Sequence, residues 1–130
     1  MPKILDFKKI ILTLFVVLGI ILIFALIDYF AHQLSIEYSV PPRYFPNKII
    51  YGTVIGFITS LFVRKHKLFT KSLVFSLVIS VLLQIKYFLE GYPRDFVFTF
   101  LGIHFIILLV VSSIIFKLTE KYTNIENLFI

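Results

Sequence analysis

Cysteine is missing from this chain, which rules out disulfides, thiolate metal sites and CxxC redox chemistry. Charge is scarce, with Asp, Glu, Lys and Arg making up 15% of the 130 residues. No catalytic, nucleotide-binding or metal motif stands out, so neither a catalytic residue nor a metal or other cofactor is expected. Solenoid-type repeats, low-complexity tracts and interdomain linkers are absent as well, leaving one domain over residues 1–130. What fills the chain is apolar length. Hydrophobic residues reach 59% and the mean hydropathy is +0.99, outside the balance of a soluble domain.

The apolar residues come in four stretches. Ile10–Ile27 and Phe96–Phe116 carry no charge at all, and Ile49–Val63 and Ser72–Ile85 lie between them. A helix needs about twenty apolar residues to cross a ~30 Å hydrocarbon core. The expectation is an all-α integral membrane protein, a four-transmembrane-helix antiparallel bundle with spans near 8–34, 46–64, 70–90 and 93–117. A cleaved signal peptide is the rival for the first stretch. Its 18 residues exceed the usual h-region, and no A-x-A-like site follows before Asp28, so it reads as an anchor.

Lys and Arg are sorted by side. Nine of the thirteen fall at the N-terminus (Lys3, Lys8, Lys9), in the turn after the second stretch (Arg64, Lys65, Lys67, Lys71) and near the C-terminus (Lys117, Lys121). Arg43, Lys48, Lys86 and Arg94 lie on the other side. The positive-inside rule then puts both termini in the cytoplasm, as an even number of spans requires. Anionic headgroups explain the basic residues better than nucleic acid does. Six of the seven tyrosines sit near the outer ends, and only Tyr122 lies inside, an aromatic belt or the rim of an outward cavity.

The connections carry further expectations. Pro41, Pro42 and Pro46 interrupt any helix between the first two spans, and Lys48 is expected to snorkel to the outer interface. Thr70 is a candidate cap for the third span, Gly91 suits its left-handed end, and Pro93 opens the fourth with Asp95 in its first turn. Gly52, Gly56 and Ser60 form one small-residue stripe, and Ser72, Ser76 and Ser80 form another. Small residues every four positions let helices approach closely in lipid. The two stripes are expected to face each other, with Ser60 near Ser72 and Gly52 near Ser80.

Ionisable groups inside a membrane are costly and mark candidate sites. The candidate polar intramembrane site comprises Asp28, His32, Ser80, Gln84 and His104. Asp28 and His32, spaced i, i+4, can share a hydrogen bond or a metal, although two ligands seldom hold one. His104, Ser80 and Gly56 each fall about 12 Å deep by helical rise, with Asp28 and His32 roughly 10 Å above. His104 is therefore read as hydrogen-bonded to Ser80 or Gln84, facing the interior, with a proton relay or ligand site as the functional alternative. Three function classes remain, of which the first is the expected one and the others are alternatives. One is a structural or accessory subunit that packs against other membrane proteins or its own copies. The second is an oligomeric transporter or channel lined by Ser72, Ser76, Ser80, Gln84 and His104. The third is a lipid-active enzyme with an outward site near Asp28, His32 and His104.

Overall fold

The computed structural model describes residues 7–123; Lys3 and the Tyr122 side chain lie outside that description. Four helices account for most of it: α1 (Phe7–Ala31), α2 (Tyr44–Phe62), α3 (Leu68–Leu89) and α4 (Arg94–Thr123). A single 3-10 turn, Ile36–Tyr38, breaks the first connection, and no strand occurs among the described residues. Helix α1 touches α2 and α4, and α3 touches the same two, so the helices close into a ring with the α3–α4 seam the most extensive.

Three helices, α1, α3 and α4, are long and apolar enough to cross a membrane by length and composition. Helix α2 does not reach that measure, so the expected fourth crossing is not carried by its composition. Its 19 residues include Asn47, Lys48, Gly52, Gly56, Thr59 and Ser60, each of which lowers its hydropathy.

The helix ends follow local chemistry. Helix α2 begins at Tyr44, ahead of Pro46, because a first-turn residue has no intrahelical acceptor for its N–H and proline loses nothing there. Helix α3 begins at Leu68 with Lys67 as its N-cap, so Thr70 lies inside the first turn and does not cap it. At its far end Gly91 takes φ +96°, the Tyr92 N–H donates to Tyr87 O at 3.1 Å and the Gly91 N–H to Phe88 O at 3.1 Å. That is the Schellman pattern, and only glycine enters it without strain.

Every helix buries residues four apart. The sets are Ile20, Phe24, Asp28 and His32 at the end of α1; Tyr44, Lys48, Gly52, Gly56 and Ser60 on α2; Phe75, Ile79, Leu83 and Tyr87 on α3; and Phe100, His104, Leu108, Ser112 and Phe116 on α4. The opposite face of α4 exposes Phe98, Ile106, Val110 and Ile114.

The glycines of α2 sit against large side chains of α1 and α3. A Cβ on Gly52 would meet Ile21 of α1 at 3.3 Å, and one on Gly56 would meet Val17 of α1 and Phe75 of α3, both at 3.0 Å. The glycines receive large side chains, which fills space better than two small faces opposed. Ser76 instead reaches α4, its Oγ 3.4 Å from Ser112 Oγ.

Candidate functional site

Asp28, His32, Lys48 and His104 converge at one point, all at most 2% exposed. Lys48 Nζ donates to Asp28 Oδ2 and lies 2.9 Å from His104 Nε2. His104 Nε2 stands 3.1 Å from Asp28 Oδ1 but aligns for a hydrogen bond only with Lys48. His32 Nε2 is 3.1 Å from Asp28 Oδ2, and its Nδ1 is 2.7 Å from Tyr38 O.

Two expectations are corrected. Lys48 does not snorkel; it is fully buried, because Asp28 offers a counter-charge within reach of its folded-in side chain. His104 does not lie 10 Å below Asp28, since the two side chains meet at 3.1 Å, and no hydrogen bond joins it to Ser80 or Gln84. Cα–Cβ bonds tilt toward a helix's N-terminus. Asp28, near the C-terminal end of α1, leans back along α1, while His104, in the N-terminal half of α4, leans toward the start of α4. The two helices bring those ends together, so the side chains close the gap that counting residues suggested.

The other candidates make no hydrogen bond to this centre among the described residues. Gln84 Nε2 donates to Val97 O at 2.7 Å and ties α3 to α4. Ser72, Ser76 and Ser80 are fully buried, and the Ser72 and Ser80 hydroxyls have no hydrogen-bond partner among the described residues. Gly52, Gly56 and Ser60 pack on α2 as described. The residues the sequence reading missed are Lys48, Tyr44 and Tyr87. A signal for Lys48 was available, since it continues the Gly52–Gly56–Ser60 stripe by one step of four.

Aromatic rings wall the centre. Phe100 stacks on His32 at 4.0 Å between centroids and 3° between planes, and Phe24 meets His104 edge-on at 5.2 Å. Lys48 Nζ sits 4.2 Å from the Tyr44 ring centroid. The ammonium therefore has three neighbours for its three N–H bonds: a carboxylate, an imidazole nitrogen and a π face.

His104 Nε2 faces both the Lys48 ammonium at 2.9 Å and Asp28 Oδ1 at 3.1 Å, and its Nδ1 has no hydrogen-bond partner among the described residues. His32 faces oxygen on both sides. Nδ1 meets the Tyr38 carbonyl and Nε2 meets Asp28 Oδ2, so the ring is anchored to an acceptor at each nitrogen.

Asp28, His32 and His104 also offer three ligand atoms within 4.8 Å of one another, a set of the kind that holds a divalent metal. Lys48 reaches into the same place, bound to Asp28 and His104, so the ammonium already supplies the positive charge a metal would bring. Compared with protein-family models, curated proteins and solved structures, the chain has no match.

Proposed function

We propose that this chain is a four-pass cell-membrane protein, both termini cytoplasmic, whose helices form an antiparallel bundle that conducts protons as a small transporter or channel. The observation that carries the reading is the buried contact of His32 Nε2 with Asp28 Oδ2 at 3.1 Å, beside a lysine and a second imidazole. Four ionisable groups gathered among helices are a poor way to gain stability, since their desolvation offsets most of their attraction. They suit a site that takes up and releases protons. The buried hydroxyls of Ser80, Ser76 and Ser72, with Ser112 beside Ser76, supply polar groups toward the opposite end. Reading α2 as the fourth crossing is supported by the burial of Lys48, Gly52, Gly56, Thr59 and Ser60, the residues that lower its hydropathy, inside the bundle.

The test is proton flux into liposomes holding a pH-sensitive dye, driven by a potassium diffusion potential. Wild-type protein should acidify the lumen faster than empty liposomes, and Asp28→Asn should return the rate to that background. Equal flux from both proteins removes the proposal.

A second reading rests on the same contacts: Asp28 ties α1 to α2 and α4, which a structural or accessory subunit packed against another membrane protein also needs. A fixed hetero-complex in native mass spectrometry, with no proton flux, would favour it over a homo-oligomeric conductor.

A further inference from the structure

A groove of about 340 Å³ runs down the seam between α3 and α4. Val81, Ile85 and Phe88 of α3 form one wall, and Val97, Phe98 and Leu101 of α4 the other. Both helices are long and apolar enough to cross a membrane. The walls run from Phe88 back to Val81 and from Arg94 on to Leu101, about 10 Å by helical rise. That is a third of a ~30 Å hydrocarbon core. Ile85, Phe88 and Phe98 are each at least half exposed, so the groove is open along its length. Gln84 lies buried between the walls, and its bond to Val97 O ties the two helices together there.

One end of the groove is charged. Arg94 opens α4, is exposed, and lines the groove. Its guanidinium makes no hydrogen bond or ion pair among the described residues. No acid lines this groove, and Asp95, next in the chain, is not part of its wall. The groove between α2 and α3 makes the contrast. Its cation, Lys86, is already met by Glu90 at 2.6 Å, and both residues belong to that wall.

An open apolar groove with an unmatched guanidinium at one end has the polarity of a phospholipid, an anion above and an acyl chain below. We propose that the α3–α4 groove binds an anionic phospholipid, its phosphate on Arg94 and one acyl chain between Ile85, Phe88, Val97 and Leu101. A guanidinium takes two phosphate oxygens at once, a geometry an ammonium lacks. A zwitterionic headgroup adds a cation that Arg94 repels, so the site favours net negative charge. The proposal rests on α3 and α4 crossing the membrane and not on proton conduction, which Asp28→Asn tests separately.

Phosphatidylglycerol and phosphatidylcholine with the same acyl chains are titrated onto the purified protein in mild detergent and read by native mass spectrometry. Phosphatidylglycerol should be held more tightly. Arg94→Gln should weaken it about tenfold, the worth of one charge-assisted hydrogen bond, toward the level of phosphatidylcholine. Val81→Trp puts a ring into the groove from the α3 wall and should weaken both lipids. Lys65→Gln, a cation in the turn before α3, should change neither. Equal retention of the two lipids overturns the proposal, as does phosphatidylglycerol binding untouched by Arg94→Gln and Val81→Trp. A dimer that excludes lipid and that Val81→Trp dissociates overturns it too, making the groove a contact between copies. Washing membranes with alkaline carbonate separates the two readings. Release of the protein removes the membrane reading and the lipid site with it, whereas retention without a lipid preference removes the lipid site alone.

Discussion

Asp28 joins three parts of this structure, because its two oxygens stand against His32 just past α1, Lys48 of α2 and His104 of α4. A lone carboxylate in an apolar interior is prohibitive, and here Lys48 supplies the opposite charge. Removing one partner of a buried pair exposes the other to that cost, about 3–5 kcal/mol, whereas replacing both with apolar residues is far milder. Lys48→Met should therefore lower the detergent melting temperature sharply, and Asp28→Leu combined with Lys48→Met should recover most of the loss. A double variant no more stable than Lys48→Met would show that the ion pair does not set stability. His104 gives a finer contrast. His104→Gln keeps an acceptor for Lys48 and should melt near wild type. His104→Leu removes it and should cost about 1–3 kcal/mol, the penalty of an unsatisfied buried donor.

Among the helices, α2 is unlike the others in what it buries. Its inner face offers Tyr44 and Lys48 at one end and Gly52, Gly56, Thr59 and Ser60 beyond. The neighbours provide the bulk, with Val17, Phe75 and Ile79 closing on Gly56 at 3.0–3.1 Å from a would-be Cβ. Gly56→Leu has no space to enter and should destabilise by about 1–3 kcal/mol or more, as overpacking does. Val54→Leu, at a position 53% exposed, should be nearly silent. Gly102 of α4 is the counter-example. Nothing lies within 4 Å of its would-be Cβ, so Gly102→Ala should gain about 0.5–1 kcal/mol from helix propensity. Thermal unfolding followed by circular dichroism reads all three. If Gly56→Leu melts with the wild type, the α1–α2–α3 contact is looser than its distances imply.

For the molecule as a whole, the outer shell is apolar while polar groups turn inward. Phe15, Leu26, Val54, Phe62, Phe98 and Ile106 are each at least half exposed, and Asp28, Lys48 and His104 are sealed inside. A water-soluble protein of this size would show the reverse arrangement. Orientation is testable because the chain has no cysteine, so each introduced thiol is unique. Cysteine at Ser39 should react with an impermeant maleimide added to intact cells, and cysteine at His66 only after lysis. Both positions are exposed, so access to the protein itself is not limiting. Labelling of position 66 in intact cells would reverse the assigned sidedness.

The sequence by itself determined where the helices are, because apolar run length, prolines at 41, 42 and 46 and the Gly91 terminator act locally; it counted four crossings, of which three reach the length and composition a crossing needs. It also marked Asp28, His32 and His104 as the groups out of place in apolar helices. It could not show that Lys48 joins them. A lysine at a helix end snorkels or folds inward according to whether a counter-charge lies within reach, and that counter-charge stands twenty positions away on another helix. The same holds for the glycines of α2, whose nearest neighbours are Ile21 and Val17 of α1 and Phe75 and Ile79 of α3. Spacing along one helix fixes which residues share a face. Which neighbour that face meets depends on how four helices fill their common space, and only the tertiary structure decided that.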